Sequence, residues 1–155
     1  MRILAVCLGN ICRSPAAAAA IRAAAARAGL EVEVDSAGTG SWHVGEPPHP
    51  ESVAAAARMG LVVEGRARKI NQLDFDRHDM ILAMDRSNLS EITALAPSKA
   101  DQAKIRLFRT FDPDTDQEEV PDPWGGPTSG YEEMIRIVTA AAQGLVDHLV
   151  ARSGN

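Results

Sequence analysis

The sequence has few aromatic residues, few cysteines and no excess of positive charge, and each shortage argues against a class of protein. Aromatic side chains make up 4% of the 155 residues, and there are two cysteines. Two cysteines cannot build a disulfide framework, so we expect reduced thiols and a cytoplasmic protein. The net charge of −5 argues against a nucleic-acid or membrane-surface binder, because such proteins rely on Lys- and Arg-rich faces.

Other common signals are also missing. No apolar run reaches the roughly 18 residues that a membrane-spanning helix needs. Residues 1–7 have only a short apolar run and no small-residue cleavage site, which predicts a strand and not a signal peptide. The histidines have no metal-ligand spacing, and four residues separate Cys7 from Cys12, which is neither zinc nor thioredoxin spacing. We therefore expect no metal and no cofactor.

Glycines and prolines divide the chain into alternating strand and helix patterns. The predicted strands are residues 2–7, 31–37, 79–84 and 104–108, and the predicted helices are residues 14–28, 51–59, 87–96 and one that begins at residue 129. Ser14 is the predicted N-cap of the first helix, and Ser129 with Glu132 forms a predicted capping box. This order predicts an α/β fold: a single three-layer domain over residues 1–155, with a four-stranded parallel sheet and helices on both faces.

The segment after the first strand, Cys7-Leu8-Gly9-Asn10-Ile11-Cys12-Arg13-Ser14, has a Cys-x5-Arg pattern that suits a phosphate. Gly9 permits a tight turn, and successive N–H groups can converge on an anion at the start of the next helix. The Arg13 guanidinium fits two phosphate oxygens, and its charge favours the thiolate of Cys7. Ser14 can donate a hydrogen bond to this sulfur. The arrangement predicts attack of the thiolate on phosphorus and a phosphocysteine intermediate.

The leaving group of such a reaction needs a proton from a general acid elsewhere in the chain. The loop over residues 111–128 offers four aspartates, and their pattern alone does not decide among them: Asp112, Asp114, Asp116 and Asp122. Asp122 precedes Pro123, which restricts its backbone to an extended conformation and helps to hold it in place.

Two tryptophans stand out in a chain so poor in aromatic residues. Trp42 and Trp124 lie in loops that should face the same edge of the sheet, where flat side chains can enclose a phenyl ring. Leu8 and Ile11 would add apolar side chains to the wall of this pocket. The alternative is that either tryptophan covers the core instead.

The string C-L-G-N-I-C-R-S-P resembles the signature of the low-molecular-weight protein tyrosine phosphatases. Four more strings match in family order: D-S-A-G-T-G at 35–40, W-H-V-G at 42–45, M-D-R-S-N at 84–88 and V-P-D-P-W-G at 120–125. The resemblance covers essentially the whole chain. It implies a phosphotyrosine phosphatase in which Cys7 is the nucleophile and Arg13 binds phosphate. Asp122 would be the general acid and then the base that activates water.

The resemblance also implies supporting roles and partners. Ser14 would stabilise the thiolate, Asn10 and Ser36 would hold the loop by a mutual hydrogen bond, and Cys12 could form a reversible disulfide with Cys7. The expected partners are phosphotyrosine-containing proteins and inorganic phosphate, as product or inhibitor, and a monomer is expected. Family members commonly carry two aromatic residues after Asp-Pro. Here Trp124 is followed by two glycines, which leaves the pocket depth open.

Three alternatives remain at this point. Arsenate reductases share the scaffold, but they pass a disulfide outward through a further cysteine, which this chain lacks. Related bacterial phosphoarginine phosphatases carry Thr where this chain has Ile11, and Ile favours an aryl phosphate. A phosphocysteine carrier would not need Arg13 and Asp122 together, and a non-catalytic phosphotyrosine-binding module would show affinity without phosphate release.

Overall fold

One parallel sheet with helices on both faces organises the chain. The computed structural model describes residues 1–153. Its strands are β1 (Arg2–Cys7), β2 (Glu33–Gly38), β3 (Met80–Ala83) and β4 (Ile105–Leu107). Its helices are α1 (Arg13–Ala28), α2 (Pro50–Arg58), α3 (Leu73–Arg77), α4 (Arg86–Leu95), α5 (Lys99–Gln102) and α6 (Thr128–Ser153), with a 3-10 turn at Phe108–Phe111. The predicted fold class is confirmed.

The order of the strands places a binding site at the end of β1. The order is β2-β1-β3-β4, and every neighbouring pair is parallel. The chain passes from β1 to β2 on one side and then returns to β3 on the other side, so the strand order reverses beside β1. Ligands of open parallel sheets bind at such a reversal, beyond the carboxyl ends of the strands. Cys7 is the last residue of β1.

Alternate residues of β1 supply the two halves of the core. Ile3 and Ala5 belong to the cluster that includes residues of α1, α2 and α6, whereas Leu4 and Val6 pack with Phe75 and residues of β3 and α4 on the other face. Alanines fill most of the buried side of α1. Because alanine side chains are short, α1 can lie close to β1 and α6, and the start of α1 is held firmly at the sheet edge.

Helix α6 is long and apolar enough to cross a membrane by length and composition alone. Half of that apolar stretch is buried inside the protein. Ile135, Val138, Leu145 and Leu149 lie in the same core cluster as the alanines of α1. The apolar stripe of α6 is therefore its core-facing side.

Several local predictions need correction. Ser14 is not the N-cap of α1, because the helix begins at Arg13 and Cys12 occupies the cap position without a side-chain bond. Strand β2 begins two residues later and ends one residue later than the predicted strand over residues 31–37. Helix α6 begins one residue before Ser129, so Ser129 is already helical. The short helices α3 and α5 were not predicted, since four or five residues are too few to show a helical period.

Candidate active site

The loop between β1 and α1 forms a tight cup beside the end of β2. Gly38 lies so close to this loop that a Cβ there would sit 2.7 Å from the Leu8 carbonyl oxygen and 3.1 Å from Cβ of Asn10. Any larger residue would push the loop outward. The Leu8 carbonyl also accepts a hydrogen bond from the Gly40 N–H at 2.9 Å, and the Thr39 N–H donates to the Cys7 carbonyl at 2.9 Å. The cup is thus fastened to its neighbouring strand.

The Cys7 sulfur is buried at the floor of this cup and has two polar neighbours. The backbone N–H of Asn10 donates to it at 3.3 Å, and the Ser14 hydroxyl oxygen lies 3.0 Å away. The Asn10 amide donates to the same hydroxyl oxygen at 2.9 Å. Because the Ser14 oxygen already accepts this hydrogen bond, the hydroxyl proton is free to be donated elsewhere. It has two acceptors within reach, the Cys7 sulfur and the Ala37 carbonyl at 3.4 Å, and the sulfur is the closer. Both contacts favour a sulfur anion.

Asn10 adopts a backbone conformation that is unusual for a residue with a side chain. Its φ is 58°, and no other non-glycine residue between 1 and 153 has a positive φ. Asparagine tolerates this left-handed region when its amide bonds locally. The Asn10 amide donates to Ser14 and, at 2.9 Å, to Ser36, while its oxygen accepts from the backbone N–H of Arg68 at 2.9 Å. The hydrogen bond expected between Asn10 and Ser36 is present.

Arg13 lies in the first turn of α1, and only 3% of its side chain is exposed. Nη1 donates to Asp85 at 2.6 Å and to the Val120 carbonyl at 3.1 Å, and Nη2 lies 3.6 Å from Asp122. Burial disfavours the cation, but the negative charge of Cys7 and the hydrogen bond to Asp85 outweigh burial and raise the pKa of Arg13 above its ordinary value. Arg13 is a fixed positive charge that faces the Cys7 sulfur.

Asp122 lies at the rim of the same cleft. Its side chain is 45% exposed, and Oδ1 accepts a hydrogen bond from the Trp124 N–H at 3.1 Å. The chain just before it is anchored, because the Val120 N–H donates to the Met84 carbonyl at 2.8 Å. Of the four candidate aspartates, Asp122 is the one that lines the cleft with Cys7.

The cleft above the sulfur encloses about 250 Å³. Its walls include Leu8, Ile11, Trp42 and Trp124, all of which were predicted to lie there. The side chains of Trp42 and Trp124 are exposed at 73% and 60% of their surface, so neither covers the core. Their exposed faces leave apolar surface on both sides of the cup.

Cys12 is buried next to the cup and differs from Cys7 in its surroundings. Burial, followed by the negative charge of Cys7, raises the pKa of the Cys12 thiol to about 12. Its backbone carbonyl accepts a hydrogen bond from Ser52 at 3.3 Å. Cys12 therefore remains a neutral thiol at physiological pH.

Three residues at the site escaped the sequence analysis. Asp85 comes from the end of β3 and holds Arg13, while its other oxygen caps α4 by accepting from the Asn88 N–H at 2.7 Å. In the sequence, only its place in the M-D-R-S-N string pointed to Asp85. His43 lines the cleft and lies against Gly9, where a Cβ would be 3.1 Å from its ring. Arg68 contacts Asn10 through its backbone and has no sequence signal of its own.

The chain was compared with known families and structures. The sequence model of the low molecular weight phosphotyrosine protein phosphatase family matches residues 2–154. The chain belongs to this family. A low molecular weight protein-tyrosine-phosphatase of Streptomyces coelicolor is 44% identical over 149 residues, which cover 94% of this chain and 91% of the relative.

Solved structures agree with this membership. The crystal structure of a protein tyrosine phosphatase from Entamoeba histolytica superposes with a TM-score of 0.94 at 34% identity, over 98% of both chains. The YwlE arginine phosphatase of Bacillus subtilis, a more distant neighbour, has a TM-score of 0.86 at 25% identity over 99% of both chains. The protein is therefore an enzyme of the protein-tyrosine-phosphatase class, and its fold also occurs in an arginine phosphatase.

Proposed function

We propose that the protein hydrolyses phosphotyrosine in proteins, and aryl phosphates generally, through a phosphocysteine intermediate on Cys7. The observation that carries the proposal is the pairing of the buried Cys7 sulfur with the Arg13 cation at the floor of an apolar cleft. In this scheme the backbone N–H groups of residues 8–13 and the Arg13 fork bind the phosphate oxygens. The sulfur then faces phosphorus on the side opposite the leaving oxygen.

Asp122 supplies the proton in the first step. Protonated Asp122 donates to the tyrosine oxygen as its bond to phosphorus breaks, and the phosphoryl group passes to the Cys7 sulfur. In the second step Asp122 takes a proton from water, which attacks phosphorus and releases inorganic phosphate and the Cys7 thiolate. The position of Asp122 at the rim, 3.6 Å from Arg13, supports both roles. No metal takes part in this scheme.

The substrate we propose is phosphotyrosine and not phosphoarginine. The apolar side chain of Ile11 suits an uncharged phenyl ring better than a guanidinium group, and the flat faces of Trp42 and Trp124 can enclose that ring. The matching family and the Streptomyces coelicolor relative are both named as tyrosine phosphatases, which supports this substrate over the arsenate reductase and phosphoarginine alternatives. Steady-state kinetics on an aryl phosphate, a phosphotyrosine peptide and phosphoarginine, with EDTA present, would test the choice. A higher kcat/KM for phosphoarginine would contradict it.

The Cys7→Ser variant tests the mechanism itself. A serine hydroxyl is far less acidic than a thiol, and the cup offers no general base to it, so we expect kcat to fall by about 10⁴-fold or more. Thermal unfolding and titration with inorganic phosphate, the expected product inhibitor, would show that the variant is folded and keeps its anion site. Appreciable turnover by Cys7→Ser would exclude the proposed intermediate.

Oxidation provides a reversible way to block this nucleophile. Peroxide would convert the Cys7 thiolate to a sulfenic acid, and the neighbouring Cys12 thiol would then condense with it to form a disulfide and release water. The two cysteines are free and lie close enough for the charge of Cys7 to raise the pKa of Cys12, which supports this pairing. Mass spectrometry of peroxide-treated enzyme should reveal a Cys7–Cys12 bond that dithiothreitol removes. Reduced thiols also support our proposal of a cytoplasmic protein, and we propose a monomer.

A further inference from the structure

An ion pair between the buried Asp74 and the partly exposed Arg68 lies next to the cup, outside the cleft. The Arg68 guanidinium donates two hydrogen bonds to Asp74, at 2.8 and 3.0 Å, and its Nε and Nη2 donate to Asp35 at 3.3 and 2.9 Å. Asp74 is almost fully buried, with 1% of its side chain exposed, whereas Asp35 faces solvent. The two carboxylates therefore hold the same arginine in very different environments.

Asp74 keeps its negative charge in spite of its burial. Desolvation disfavours the charged form, but the hydrogen bonds from Arg68 and from the Asn71 N–H, the latter at 2.9 Å, outweigh desolvation and lower the pKa of Asp74. Partial burial disfavours the Arg68 cation, but its hydrogen bonds to Asp74 and the charges of Asp74 and Asp35 outweigh this and raise the pKa of Arg68. Removing the Arg68 charge would leave Asp74 buried without its main partner, whereas Arg68 is partly exposed and also pairs with Asp35, so it is the buried Asp74 that constrains the geometry of the pair.

The backbone of Arg68 connects this ion pair to the cup. The Arg68 carbonyl accepts from the Gly38 N–H at 2.8 Å, and the Ile70 N–H donates to the Gly38 carbonyl at 2.8 Å. Residues 68–70 thus extend the sheet beside the end of β2. On the opposite side, the Arg68 N–H donates to Oδ1 of Asn10.

This last bond determines which way the Asn10 amide points. An N–H donor at Arg68 requires the oxygen of the amide to face it, so the amide nitrogen must face Ser14 and Ser36. Because Ser14 then accepts from Asn10, its own proton is available to the Cys7 sulfur at 3.0 Å. A series of hydrogen bonds therefore runs from the Arg68 N–H through Asn10 and Ser14 to the nucleophile, and the side chain of Arg68 ties that residue to Asp74.

We propose that Arg68 and Asp74 are positioning residues for the Cys7 nucleophile. They act by fixing the segment that orients Asn10 and, through it, the Ser14 hydroxyl. The inference rests on the proposed phosphatase function, since its effect is on the reactivity of the same sulfur. It differs from a general stabilising role because it predicts a loss of sulfur reactivity with little change in phosphate binding.

The test compares Asp74→Asn with Asp35→Asn, the same chemical change on the exposed partner of Arg68. For Asp74→Asn we expect kcat on an aryl phosphate to fall about tenfold, because a hydrogen bond to the sulfur anion is weakened, while KM changes by less than about twofold. The rate of Cys7 alkylation by iodoacetamide, followed by mass spectrometry, should fall about fivefold on the same physical ground. Asp35→Asn should change kcat, KM and the alkylation rate each by less than about twofold.

Two further variants keep the test decisive. Ile92→Val, a small cavity in the core cluster that also contains Phe75, the neighbour of Asp74, reports what lost stability alone does. Arg68→Lys keeps the charge and should fold if Asp74→Asn does not, yet it loses the two-pronged contact and should also slow alkylation. The proposal would be overturned if Asp74→Asn and Ile92→Val lowered kcat and the alkylation rate equally, or if Arg68→Lys left the alkylation rate unchanged. Failure of the wild-type enzyme to hydrolyse aryl phosphates would instead contradict the proposed function, because alkylation needs no substrate.

Discussion

The phosphate-binding cup and the loop that carries Asp122 meet in one cleft but are held in different ways. The cup is buried, and its Cys7, Asn10 and Arg13 side chains each have at least two polar partners within the protein. Asp122 has one hydrogen bond, to the backbone N–H of Trp124, and is nearly half exposed. From this difference we expect phosphate to be bound by a preformed site, whereas the proposed acid and the proposed aromatic wall would adjust to the substrate.

The difference has a physical reason. Phosphate carries the same charge and shape in every substrate, so its site gains from rigid donors that need no reorganisation. The leaving group varies, and its proton donor must also admit water in the second step. A loop that is anchored at Val120 and exposes the side chains of Asp122 and Trp124 meets both needs. Substitutions in the cup should therefore be costly for all substrates, and those in the loop should depend on the substrate.

Arg13→Lys should have the largest effect of the changes that test this contrast. Lysine keeps the charge but cannot donate to phosphate, Asp85 and Val120 in the planar arrangement that the guanidinium provides. We expect kcat/KM to fall by about 10²–10³-fold for every aryl phosphate, whatever its leaving group. Arg22→Lys, on the exposed side of the same helix, is the matched control, and its kcat/KM should stay within about twofold of the wild-type value. A loss confined to some leaving groups would contradict a rigid, substrate-independent cup.

The cup was also the region that sequence reasoning described best, because its chemistry lies in consecutive residues. A strand, a glycine turn and a helix start are all local signals, and they predict where Cys7 and Arg13 lie. The role of Ser14 was harder, since its hydroxyl could cap the helix or face the sulfur, and only the packed structure selects the sulfur.

Contacts across long separations in the chain were the part that could not be predicted. Asp85 is 72 residues from Arg13, and Arg68 is 58 residues from Asn10. Neither the register of β3 beside β1 nor the course of residues 68–70 along β2 follows from residue patterns. The short helix α3, which carries Asp74, escaped for the same reason, because tertiary contacts and not its own propensity stabilise it.

Asp122→Ala should have the next largest effect, and it should depend on the leaving group. Without the acid, a poor leaving group departs as an unprotonated anion, so kcat/KM for phenyl phosphate should fall by about 10²-fold or more. The loss should be several-fold smaller for p-nitrophenyl phosphate, whose leaving group is stable without a proton. Asp116→Ala, an exposed aspartate of the same loop, serves as the control. Equal losses for both substrates would show that Asp122 is not the acid.

Trp124→Ala should have the smallest effect and should separate the two halves of the site. The indole contacts the aryl group but no phosphate oxygen in the proposed complex, so KM for an aryl phosphate should rise by about three- to tenfold. Inhibition by inorganic phosphate, which needs only the cup, should be unchanged. Trp124→Phe should recover most of the affinity, because the flat apolar surface remains. A parallel weakening of phosphate inhibition would mean that the aromatic loop and the cup are coupled, and the contrast between a rigid cup and an adaptable rim would then be wrong.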